Sequence, residues 1–127
     1  MVYLVDTNVI IRFLIGDHDA HLKQSQLFFE KIETGEMEVL LMESVLMESF
    51  FVLTKLYKLP KAEICNDLKK ILSLEGCINE DKLILFETLS LIEAKSIDFV
   101  DALLCAKHKL NNFGILSFDN DLAKCIK

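Results

Sequence analysis

The chain has one arginine, Arg12, and its 14 basic residues face 20 acids, which leaves a net charge of −6 over 127 residues. Affinity for phosphate normally comes from Lys and Arg neutralising backbone charge, so the sign is wrong for a general nucleic-acid binder. With the acids gathered round metal ions, lysines at the rim can still contact a nucleic acid, and binding without metal is expected to be poor. No apolar run approaches the roughly 18 to 20 residues of a membrane span, and the N-terminus enters a strand pattern without a basic leader. No membrane role and a cytoplasmic location are therefore expected. The four cysteines, Cys65, Cys77, Cys105 and Cys125, have no C-x-x-C spacing. Set mostly in apolar helical patterns, they predict reduced core thiols and no zinc site. Also missing are a Gly-rich phosphate loop, a G-x-S-x-G elbow, a Cys/His nucleophile arrangement, internal repeats and low-complexity linkers.

What the chain has in excess is aliphatic surface. Leucine and isoleucine account for 34 residues and the mean hydropathy is +0.34. This length suits one domain, residues 1–127, with a single core. The surplus apolar surface predicts a homodimer or a protein partner, with the helix around Leu22 to Ile32 and the region Ser44 to Leu74 as contact faces.

Val2 to Val5 is a continuous apolar run closed by Asp6-Thr7-Asn8, the pattern of a buried parallel strand entering a helix over Val9 to Ile15 that stops at Gly16. Residues 19 to 34 read as a helix ended by Gly35, and Glu38 to Met42 as a second short strand. Ser44 is a candidate N-cap for a helix to about Tyr57, and Pro60 suits the first turn of another reaching about Leu74. Asn79 can cap a helix over 81 to 95, and Asp98 one over 99 to 110. Asn111-Asn112-Phe113-Gly114 then turns into a third strand, Ile115 to Ser117, before a last helix. The sum is an α/β fold: a small central parallel sheet flanked by about seven helices, whose ligands sit beyond the carboxyl ends of the strands.

Acids stand where apolar segments stop. Asp6 follows the first strand, Glu48 lies within an apolar helix, Asp98 and Asp101 open another, and Asp119 follows Ile115-Leu116. Gathered together, such carboxylates repel, since unit charges at about 4 Å interact with roughly 4 kcal/mol at an effective dielectric of 20. A hard divalent cation, Mg²⁺ or Mn²⁺, removes that penalty and keeps waters for a phosphate-bearing substrate. Plainer roles compete: Asp98 and Asp101 have the spacing of a capping box, Asp119 could cap a helix, and Asp121 could be a solvated first-turn acid. Glu48 has Val45, Phe51 and Val52 beside it at helical spacing, which predicts a carboxylate on an apolar face, costly unless paired. His18 and His21 read as an exposed pair and His108, between two lysines, as a surface residue.

Val-Asp6-Thr7-Asn8, Leu-Met-Glu48-Ser-Phe-Phe-Val-Leu, Asp98-Phe-Val-Asp101-Ala and Ser117-Phe118-Asp119 together resemble the acidic motifs of PIN-domain ribonucleases, in particular VapC-type toxins. The resemblance covers essentially the whole chain. It implies a compact PIN fold, Mg²⁺- or Mn²⁺-dependent endoribonuclease activity on RNA, dimers, and neutralisation by a VapB-type antitoxin. It places the acidic site on Asp6, Glu48, Asp101 and Asp119, supported by Asn8, Asp98 and Ser117. A non-toxin PIN nuclease of RNA processing is the nearest alternative. A phospho-receiver domain is the rival from another class, and would need a central strand ending in its acceptor Asp where residues 43 to 74 instead read as helical.

Overall fold

A computed structural model describes residues 1–16, 19–122 and 125; His18 and the side chain of Asp121 lie outside that description. The described elements are two strands, β1 (Val2–Leu4) and β2 (Glu38–Leu40), and six α-helices. These are α1 (Thr7–Ile15), α2 (Asp19–Thr34), α3 (Glu43–Phe51), α4 (Lys61–Leu72), α5 (Lys82–Ala94) and α6 (Phe99–Asn111). A π-helical turn, Val52–Leu56, continues α3, and a 3₁₀ turn spans Asn120–Leu122. The chain divides into two compact units, Met1–Glu80 and Asp81–Lys127.

The first unit is α/β. β1 and β2 pair in parallel, Val2 with Glu38 and Leu4 with Leu40, through the crossover made by α1 and α2. Gly16 (φ 68°) and Gly35 (φ 81°) end those two helices in the left-handed region, where a side chain would be strained. On its other edge β2 meets Cys77, which pairs with Val39 in parallel. Val39 is thereby bonded on both sides and is buried, whereas all three residues of β1 are exposed. The expected burial of β1 is thus not met. Helices α3 and α4 present Leu46, Phe50, Ile64, Leu68, Ile71 and Leu72 to the core at helical spacing.

Asn79 does not cap α5, whose N-cap position belongs to Asp81. Instead its amide reads the backbone of Leu41 as a strand would: Leu41 N–H donates to Oδ1 at 2.9 Å, and Nδ2 donates to the Leu41 carbonyl at 2.7 Å. This clip fixes the chain where it leaves β2 for α3. The N-cap position of α3 is Met42, with Ser44 already inside the first turn, so that expectation was misplaced by two residues.

The second unit is a helical hairpin, α5 against α6, with Leu85, Leu89, Ile92, Phe99, Ala102 and Ala106 buried. Lys109 Nζ bonds Glu87 Oε1 at 2.9 Å between the two helices. His108 is half-buried rather than a plain surface residue, with Nδ1 2.7 Å from the Phe113 carbonyl. Residues 112–117 carry no regular structure, so the expected strand Ile115 to Ser117 is absent, with Leu116 fully exposed. Two cysteines expected to be reduced are joined: Cys105 of α6 and Cys125 form a disulfide, while Cys65 and Cys77 are buried thiols.

Candidate active site

In the first unit, Asp6 leaves β1 at the N-cap position of α1 with extended backbone (φ −81°, ψ 149°). Its carbonyl accepts from Val9 N–H at 3.0 Å, but its carboxylate makes no capping hydrogen bond. A strand end thus delivers an exposed carboxylate that helix capping does not consume. Asn8, one turn position on, is exposed as well.

Glu48 corrects the expectation drawn from its neighbours. The buried face of α3 is Leu46, Ser49 and Phe50, and Glu48 is exposed. Ser49 fits the buried face because its hydroxyl donates to the Val45 carbonyl at 2.8 Å, which leaves no unsatisfied polar group. Val45 and Val52 are only half-buried and Phe51 is exposed, so the apolar neighbours of Glu48 do not form a core around it.

In the second unit, Asp98 is the N-cap residue of α6 (φ −71°, ψ 156°), again without a side-chain cap hydrogen bond. The capping box suggested by Asp98 and Asp101 is therefore not made through Asp98. Asp98 is exposed and Asp101, in the first turn, is half-buried. Asp119 is exposed, and its N–H donates to Ser117 Oγ at 2.9 Å, a local turn in which Ser117 sets the backbone that carries Asp119. The Ser117 hydroxyl thus serves the protein's own backbone.

Four of these five acids are exposed, so water screens them and the mutual repulsion expected of buried carboxylates is much reduced. Among the described residues, no group of three or more His, Cys, Asp or Glu side chains gathers closely enough to hold a metal ion. Each of these acids by itself offers carboxylate oxygens, the donor type that a hard divalent cation takes. His21 is exposed on α2 and is not part of that set.

A second feature lies wholly in the first unit. Phe13 and Leu14 of α1, Phe29 of α2, and Ile71 and Leu74 at the end of α4 line a cavity of about 470 Å³. The Phe13 and Phe29 rings stack there at 4.2 Å. Glu30, Glu33 and Asp67 outnumber Lys70 among its charged lining, and Gln26 completes the polar part. Asp67 sits on α4, inside a region with no strand from 43 to 74, which removes the receiver-domain reading.

Sequence reasoning missed the π-helical turn after α3, because five residues at a wider pitch differ little in pattern from a regular helix. The visible signal was elsewhere: fourteen residues between Glu48 and Glu63 contain three lysines and no acid. No described helix is long and apolar enough to cross a membrane.

Comparison with curated proteins gives no match, and neither does comparison with solved structures. Comparison with protein families does: residues 3–126 match the PIN domain, across all four motif acids. PIN domains are generally nucleases that act on RNA and use divalent metal ions. With an α/β fold on a small parallel sheet and a match over nearly its whole length, the chain belongs to the PIN domain family.

Proposed function

We propose that this protein is an Mg²⁺- or Mn²⁺-dependent endoribonuclease hydrolysing RNA phosphodiester bonds, and that it is the toxin of a VapBC-type toxin-antitoxin pair. The observation that carries the reading is the PIN match from residue 3 to 126, which includes Asp6, Glu48, Asp101 and Asp119. Further support comes from Asp6 and Asp98, whose carboxylates stand at helix starts without capping them. Residues 1–127 act as one nuclease domain in this reading.

Asp6, Asp101 and Asp119 hold the ion, and Glu48 adds a ligand or orients the attacking water, with Asn8, Asp98 and Asp121 in support. A bound divalent ion supplies a water of lowered pKa and neutralises charge on the departing oxygen. Ser117 holds the backbone of Asp119 through its hydroxyl.

The antitoxin takes the cavity between α1, α2 and α4. Its apolar lining and the excess of Glu30, Glu33 and Asp67 over Lys70 fit a peptide with an apolar face flanked by Lys or Arg. The remaining apolar surface serves a homodimer, and the pair works in the cytoplasm.

The test is cleavage of end-labelled RNA by purified, antitoxin-free protein with Mn²⁺ and with chelator. Asp6→Asn and Asp101→Asn should each lower the rate by about a hundredfold or more, since even partners outside the metal's own ligands are worth roughly 10- to 100-fold. Full activity in either folded variant would overturn the site. Expression of the wild-type chain should slow growth and either substitution should relieve it. Unchanged growth at high soluble expression would assign the protein to RNA processing instead.

A further inference from the structure

An acidic nuclease must still hold a polyanion, and one face of the first unit is built for that. Along α3 and the π-helical turn, Leu46, Ser49, Phe50 and Leu53 are buried, while Glu48, Phe51, Lys55 and Leu56 are exposed. The π-helical turn closes through Tyr57 N–H to the Val52 carbonyl at 3.2 Å, and the chain then reverses at Lys58, a non-glycine residue with φ 55°. Tyr57 and Lys58 are exposed at this corner and Lys61 follows at the start of α4. Between Glu48 and Glu63 there is no acid, in a chain whose net charge is −6.

Exposed aromatic rings alternating with lysines are what an unpaired strand needs. Bases stack on Phe or Tyr whatever their identity, and ammonium groups meet the phosphates between them. Resting on the nuclease reading above, we propose that the exposed face from Glu48 through Phe51, Lys55, Tyr57 and Lys58 is the track for single-stranded RNA. The strand lies along the helix with its phosphates on Lys55 and Lys58, and one end of the track is Glu48. A second copy of this chain is the poorer occupant. The lysines of this face outnumber its one acid, Glu48, so a polyanion is better matched to it than a second chain of net charge −6.

The experiment is anisotropy of a fluorescein-labelled 20-nucleotide oligouridine with the full chain in chelator, where binding is read without cleavage. The wild type should bind with Kd of about 10 to 100 µM at low salt, and log Kd should vary linearly with log salt. Lys55→Gln with Lys58→Gln should weaken binding about tenfold and reduce the salt slope by about 1.4, the amount for two phosphate contacts on a single strand. Phe51→Leu with Tyr57→Leu should weaken it about fivefold at unchanged slope. Lys23→Gln with Lys31→Gln, on α2, should change nothing. Wild-type binding that the lysine pair leaves unaltered overturns the track, as does failure of the wild type to bind at 200 µM. An altered oligomeric state with unaltered RNA binding would make the face a protein interface and overturn it too. Cleavage by the wild type with Mn²⁺ is scored separately, so RNA binding without cleavage refutes the nuclease reading and leaves the track standing.

Discussion

Gly76→Ala should be among the most destabilising small substitutions in this protein. Gly76 N–H donates to the Ile32 carbonyl at 2.7 Å, and its own carbonyl accepts from Val39 N–H at 2.7 Å. A Cβ built there would overlap the Met37 carbonyl oxygen and stand 2.6 Å from the Ile32 oxygen and 3.1 Å from Ile32 Cα. All three are backbone atoms, so no side chain can rotate away, and relief requires the backbone to move. That movement breaks or bends both hydrogen bonds, at about 1 kcal/mol each, and adds an overpacking cost of about 1 to 3 kcal/mol. Against this stands a gain of about 0.4 to 1 kcal/mol from a less flexible unfolded chain. The net loss is about 3 kcal/mol, or about 10 °C in melting temperature for a chain of this size. Gly114→Ala is the internal control, because nothing lies within 4 Å of a Cβ there. It should fall within about 0.5 kcal/mol of wild type. Urea unfolding of the three proteins gives the comparison, and a Gly76→Ala midpoint equal to that of Gly114→Ala at the same slope would refute the steric argument.

Mn²⁺ at a hundredfold excess over its Kd should stabilise the folded wild type by about 2.7 kcal/mol, and Asp119→Asn should shrink that gain; an equal rise in melting temperature in both proteins would remove Asp119 from the ligands. Reducing the Cys105–Cys125 disulfide, which closes a loop over a separation of 20 residues, should cost about 3 kcal/mol, and a thermal melt unchanged by dithiothreitol would contradict it. Asn79→Ala removes both bonds to Leu41 and should cost about 2 to 3 kcal/mol, with faster hydrogen exchange at the Leu41 amide; unchanged exchange there would show that the clip is dispensable.

Local signals were legible in the sequence and distant ones were not. Gly16 and Gly35 marked the ends of α1 and α2 because a left-handed residue is a property of one position. Asp6 and Asp98 were placed correctly at helix starts, yet only the structure shows that their carboxylates do not cap. Glu48 was misread because an apolar neighbour in sequence is not a buried neighbour, and Phe51 is 39% exposed. Asn79 looked like a helix cap since its side chain serves either local or distant backbone, and its partner Leu41 is 38 residues away. Ile115-Leu116-Ser117 has strand composition but no ladder, because pairing depends on a partner that composition does not name. The Cys105–Cys125 pair has no spacing signature for the same reason.

The sheet of the first unit also sets an order of assembly. β1 must wait for β2, with Tyr3 pairing Val39, and β2 must wait for Cys77 before Val39 is bonded on both sides. During synthesis β1 stays unpaired until β2, Glu38–Leu40, has been made. β1 is apolar and exposed, so it is the segment most in need of protection during that interval. The α5–α6 hairpin has only near neighbours in sequence to find and closes quickly. Within these residues the sheet, which joins distant segments, is the slow step and the hairpin the fast one.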